Sequence, residues 1–138
     1  MSINERRFEH AVVLDLTGPM TGRTSAGMID EAVRRHAKTS ARILVANLGR
    51  VPFVDLAGLG ALVDAHVTMR QVSGVFRLAC VTKRIHDLVV ITRLLTVLDT
   101  FDSVEHAAGG AIPPDALTQN ERLSIIALAP IQRFLRRA

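Results

Sequence analysis

The sequence predicts an α/β protein: one domain on a mixed, mostly parallel sheet of four to five strands covered by helices, followed by a helical tail. Three observations predict it. Apolar runs of strand length recur along the chain; between them apolar residues return at helical spacing; and the pairs Gly109-Gly110 and Pro113-Pro114 set off a last amphipathic stretch. Strands that alternate with helices imply a parallel or mixed sheet with helical cover.

The elements follow in order. Glu5 to Glu9 suits a short edge strand, paired as a hairpin with the apolar run Ala11-Val12-Val13-Leu14-Asp15-Leu16, which Gly18-Pro19 ends. Thr21 to Ser25 reads as a polar loop whose hydroxyls can cap a helix carrying Met28, Ile29, Ala32, Val33 and His36 on one face. Arg42 to Leu48 is continuously apolar after its first residue, as in a strand buried on both faces. Asp55 stands as the N-cap of a second helix with a stripe of Leu59, Leu62, Val63, His66 and Val67, closed by Ser73-Gly74. Val75 to Val81 is a further strand. Thr82 caps a helix bearing Ile85, Leu88, Val89 and Thr92, Leu98 to Phe101 is a brief strand, and Asp102-Ser103 caps a short helix through Ala108. The domain is expected to occupy residues 1–108, with a linker and helical extension over 109–138.

In that extension Leu123, Ile126, Ala127, Ile131 and Phe134 share a face, flanked by Arg122, Arg133, Arg136 and Arg137 and interrupted by Pro130. A short isolated helix is marginal in water, so this one needs a surface to cover. Packing against protein is expected, with a homodimer ahead of the chain's own domain and a membrane surface last.

Composition narrows the function classes. Of 138 residues, 49% are hydrophobic and 22% charged, with no Trp or Tyr and five Phe, so the domain is globular with an aliphatic core. The net charge of +4 raises the question of nucleic acid. The cations answer against it: Arg6/Arg7, Arg34/Arg35 and Lys83/Arg84 are scattered pairs interleaved with Glu5, Asp30, Glu31 and Asp87, without aromatic residues to stack on bases. The single Cys80 excludes an internal disulfide and sits in an apolar run, as a buried small residue does. The polar first residues and the lack of an apolar run of about 18 residues predict a cytoplasmic protein without direct membrane insertion.

Catalysis needs convergent groups, and none converge in the sequence. The histidines at 10, 36, 66, 86 and 106 lie too far apart for a local metal pair, and His66 falls on an apolar stripe as a packed core residue. No glycine-rich loop matches a phosphate cradle; Gly58-Leu59-Gly60 lacks the residues that complete a dinucleotide fingerprint. The expectation is a non-enzymatic protein without cofactor or metal.

The informative segment runs from Val51 to Val63, where a buried strand gives way to a loop and then a helix. A helix N-terminus presents unpaired amides and a partial positive charge, which Asp55 can cap. Gly58 and Gly60 each cost about 1 kcal/mol in a helix relative to Ala, so two in the first turns suggest a close approach to the backbone. A partner protein is the expected visitor, with tight packing on the sheet as the alternative. A bulky residue at Gly58 is then expected to obstruct a partner more than it disturbs the fold.

This segment resembles the signature of the STAS domain, shared by anti-sigma factor antagonists and sulfate transporters. The family pattern is roughly Phe-hydrophobic-Asp-Ser-Ser/Thr-Gly-Leu-Gly, and Phe53, Val54, Asp55, Gly58, Leu59 and Gly60 match it in place. The likeness extends to Val13–Gly18, to Ile43–Leu48, and to Thr92-Arg93-Leu94 with Phe101–Ala107, about residues 5 to 108 in all. It implies a STAS fold and a regulatory module that binds an anti-sigma factor, often a serine kinase, and so controls transcription. It implies a partner surface of Thr21, Asp55, Leu56, Ala57, Gly58, Leu59 and Gly60. In the family, phosphorylation of a hydroxyl in the Asp-Ser-Ser/Thr-Gly motif abolishes binding. Here Leu56 and Ala57 replace those hydroxyls, and Met20 and Thr21 stand where an acidic residue is frequent, so no phosphorylation is expected at the family site. The alternatives are a STAS scaffold or subunit in a larger signalling or transporter assembly and, from another class, a small-ligand or nucleotide sensor for which no pocket can be named.

Overall fold

The computed structural model describes residues 1–39, 41–95 and 97–109. The helical extension expected beyond them lies outside the described residues. Five strands and four helices alternate: β1 (Ser2–Phe8), β2 (Ala11–Thr17), α1 (Gly22–Ala37), β3 (Ile43–Arg50), α2 (Leu56–Gln71), β4 (Val75–Ala79), α3 (Lys83–Ile91), β5 (Asp99–Phe101) and α4 (Val104–Gly109). The strands lie side by side in chain order; β1 is antiparallel to β2 and the other neighbours are parallel. The sheet is thus mixed and mostly parallel, as expected, with five strands.

Period-two alternation sorts the strands onto two faces. Val12, Leu14, Leu16, Leu44, Phe76 and Leu78 pack against Ile29 and Val33 of α1, Leu59, Leu62 and Met69 of α2, and Ile85 and Val89 of α3. Ala11, Val13, Ile43, Val45, Val75 and Ala79 form a second apolar layer with Val104, Ala107 and Ala108 of α4. Both faces of β2, β3 and β4 are buried, which is why these strands read as continuous apolar runs.

The structure departs from the sequence-based bounds at four places. β1 is longer than expected because its backbone pairs with β2 from Ser2 opposite Thr17 to Phe8 opposite Ala11; Arg6 also donates to Asp15 at 2.6 Å across the hairpin, and Glu5 binds Arg35 and His36 of α1. The helix α1 begins at Gly22, so most of the expected polar loop is its first turn. The helix α2 is buried nearly all round, including Ala61, Ala65 and Arg70 outside the expected stripe, because it packs on α1 and β4 together. The strand β4 stops at Ala79; Cys80 takes a φ of +57° and is half-buried. Thr82 and Ser103 accept the Ile85 and His106 amides as the expected caps.

Arg77 is a feature the sequence does not announce. It is buried in β4, donates to the Ala107 carbonyl at 2.9 Å and lies 5.5 Å from the Phe101 ring centre. It thereby fastens α4 to the sheet, and burial lowers its pKa.

Candidate functional site

The loops after β2 and β3 leave the same end of the sheet and are zipped together. Gly18 donates to the Arg50 carbonyl at 3.1 Å, Met20 to the Phe53 carbonyl at 3.0 Å, and Asp55 to the Met20 carbonyl at 3.2 Å; Met20 and Val54 form a parallel bridge. This brings the N-termini of α1 and α2 next to each other, each with amides that the helix itself cannot satisfy.

One carboxylate serves both. Asp55 Oδ1 accepts the Gly58 amide at 2.8 Å, and Asp55 Oδ2 accepts the Gly22 amide at 2.8 Å. Thr21, at the N-cap of α1, makes no side-chain capping bond. The expected cap at Asp55 is present, and it reaches one helix further than the sequence suggested. That second bond also explains why α1 starts early: its first amide finds an acceptor in another loop.

The close approach at Gly58 is also present, and its source is the chain itself. A Cβ there would lie 2.5 Å from the Met20 carbonyl oxygen and 2.9 Å from Val54 Cγ1. Gly58 is therefore needed for packing within the chain, against the β2–α1 loop rather than the sheet alone, and a bulky residue there disturbs the fold directly: no side chain fits without moving that loop. Gly58, Leu59 and Gly60 are buried and support the surface from beneath. Of the residues expected to face a partner, Leu56 is 56% exposed, and Thr21, Asp55 and Ala57 are half-buried.

Beside this clamp runs a groove of about 500 Å³ between Phe53 and α3, with Leu88 and Ile91 in its wall and Lys83, Arg84 and Asp87 along it. Phe53 is 43% exposed and Ile91 77%. Sequence reasoning placed Phe53 only as a motif position and missed α3 as a surface. The signal was there: Ile91 is a large apolar residue off the buried stripe of its own helix.

His66 is buried in α2, where its stripe put it. Among the described residues no group of three or more His, Cys, Asp and Glu could hold a metal ion, and no helix is long and apolar enough to cross a membrane.

A mixed five-stranded sheet with two helix N-termini tied by one aspartate defines a small α/β module whose distinctive feature is a built surface at the strand ends. The STAS domain profile matches residues 2–107, and the chain belongs to the STAS domain family. Among solved structures it is similar to an anti-sigma factor antagonist from Mycobacterium paratuberculosis, with a TM-score of 0.68 and 17% identity, covering 78% of this chain and 90% of that one. It is similar to SpoIIAA, the anti-sigma factor antagonist in its unphosphorylated form, with a TM-score of 0.65 and 16% identity over 78% and 93%; Bacillus SpoIIAA is also solved in a phosphorylated form. A sulfate transporter family protein from Wolinella succinogenes matches with a TM-score of 0.63 and 17% identity over 71% and 81%. Comparison with curated protein sequences finds no match.

Proposed function

We propose that the chain is a non-enzymatic, cytoplasmic regulator of the anti-sigma factor antagonist kind, which binds an anti-sigma factor or related regulatory protein and so controls transcription, without a phosphorylation switch at the family site. The carrying observation is Leu56: it is 56% exposed, directly follows the Asp55 clamp, and occupies the position where the family pattern has its first hydroxyl. An exposed leucine on a rigid helix start is suited to contact a protein surface and cannot accept phosphate. Anti-sigma factors encoded by the same genome, titrated against the full chain by calorimetry, test the reading. Leu56→Glu should weaken binding at least about tenfold, equivalent to about 1.4 kcal/mol, with an unchanged unfolding midpoint. Equal binding by this variant overturns the surface.

A second reading, a STAS subunit of a larger assembly, is supported by the likeness to the transporter-family structure. A homodimer through the extension belongs with it. Light scattering on the full chain and on a chain ending at Gly110 separates the cases: a dimer lost on truncation supports it, and a full-length monomer sinks it.

A further inference from the structure

We propose that the groove between Phe53 and α3 receives an acidic amphipathic helix of the partner protein. The inference rests on the reading above, since it names the chemistry of the partner. Exposed large apolar residues in one place mark interaction surfaces more reliably than scattered ones. Ile91, at 77% exposure, and Phe53 line the same groove, and Leu88 of α3 lines it with them. The groove is open to solvent and its wall is largely apolar, which suits the apolar stripe of a helix laid into it.

Charge selects the occupant. The first turn of α3 holds Lys83 and Arg84 and no acidic residue. Cations at that end oppose the helix dipole, so the placement costs the isolated domain stability. Among the described residues neither cation has an ion-pair partner, unlike Arg6, Arg34 and Arg35, which pair with Asp15, Asp30 and Glu5. Asp87 is the one carboxylate along the groove against two cations. Carboxylates on the flank of an apolar helix would complement Lys83 and Arg84 while its stripe covers Phe53 and Ile91. A second copy of this chain fits poorly, because a two-fold contact brings together two copies of one patch, each with Lys83 and Arg84 against the single Asp87 and so of the same net sign. The chain's own residues 110–138 carry Arg122, Arg133, Arg136 and Arg137 against Asp115 and Glu121, so their net charge is repelled.

Two labelled amphipathic peptides with the same leucine stripe, one flanked by glutamates and one by lysines, test this by fluorescence anisotropy on the full chain. The glutamate peptide should bind at least about tenfold more tightly, and the margin should shrink with salt. The double variant K83E/R84E should reverse the preference, and Ile91→Asp should weaken both peptides; these side chains are exposed, and thermal unfolding checks that the fold survives. Equal binding of the two peptides, binding of neither, or a preference that persists in the double variant overturns the proposal. So does a concentration-dependent dimer that Ile91→Asp disperses, which would seat a second copy in the groove. The two readings fail separately. Loss of anti-sigma binding in Leu56→Glu with indifferent peptides removes the groove and keeps the regulator; selective peptides with no anti-sigma binding remove the regulator and keep the groove.

Discussion

Asp55 and Gly22 stand 33 positions apart, and the Gly22 amide donates to the Asp55 carboxylate at 2.8 Å while the same carboxylate caps α2 through Gly58. One side chain therefore ties two helix starts that the backbone bonds between their loops already bring together. This makes the surface beside Leu56 a rigid product of two loops.

Replacing Asp55 by Ala removes both caps. Each ordinary N-cap is worth about 0.5–2 kcal/mol, so the loss should reach roughly 1–4 kcal/mol. Urea denaturation measures it. Asp55→Asn, which keeps an acceptor but only one oxygen, should fall between the two. A loss for Asp55→Ala below about 0.5 kcal/mol would mean that water replaces both bonds.

Gly58 and Gly27 make a matched pair. Both lie in helices, but an added Cβ at Gly58 meets Met20 and Val54, whereas at Gly27 nothing lies within 4 Å. Gly27→Ala should stabilise the protein by about 0.5–1 kcal/mol through helix propensity. Gly58→Ala should destabilise it by about 1–3 kcal/mol, since overpacking against a backbone oxygen outweighs the same gain. Equal effects at the two sites would show that the β2–α1 loop gives way freely.

The surface next to Asp55 should be insensitive to kinase and ATP. Residues 51–63 contain no Ser, Thr or Tyr, so a bound anti-sigma kinase should stay bound when ATP is added. The neighbouring hydroxyls are at Thr21 and Thr24, half-buried and exposed, and at Ser25, which is buried. Release of the partner together with phosphate on Thr21 or Thr24, read by mass spectrometry, would relocate the switch to α1.

The fold was legible because buried strands and amphipathic helices write their periods directly. The runs at Ala11 and Ile43, and the stripe through Ile85 and Val89, are local patterns that burial on a sheet enforces. The family motif pointed to the right loop. Other features were not legible because they depend on partners distant in sequence. Gly22 can start α1 only because Asp55 supplies an acceptor. The strand β1 begins as early as Ser2 because the β2 backbone pairs with it along its whole length, Ser2 lying opposite Thr17. Gly58 is needed because the Met20 backbone crosses over it. The groove at α3 required knowing that Phe53 and Ile91 share one surface. Helix and strand periods carry no record of such meetings.

The pair that holds β1 should show itself in the acid limb of stability. Burial pushes the Asp15 carboxyl up, but the hydrogen bonds from Arg6 and Asn47 outweigh it, and the net effect lowers its pKa. Arg6 donates at 2.6 Å and Asn47 at 2.8 Å. A carboxylate whose folded pKa is depressed stabilises the fold fully above its unfolded pKa, and that contribution disappears as pH falls through the lower, folded value. Asp15→Asn cannot ionise, so it lacks the contribution at every pH. The stability difference between wild type and Asp15→Asn should therefore be constant above about pH 5, shrink below about pH 4, and vanish at still lower pH. The pair is partly exposed, so the plateau should be modest, up to about 1 kcal/mol, and should fall in high salt. Urea midpoints across pH give the curve. A difference that stays constant through the acid range, or that grows on acidification, would show that ionised Asp15 does not hold the hairpin.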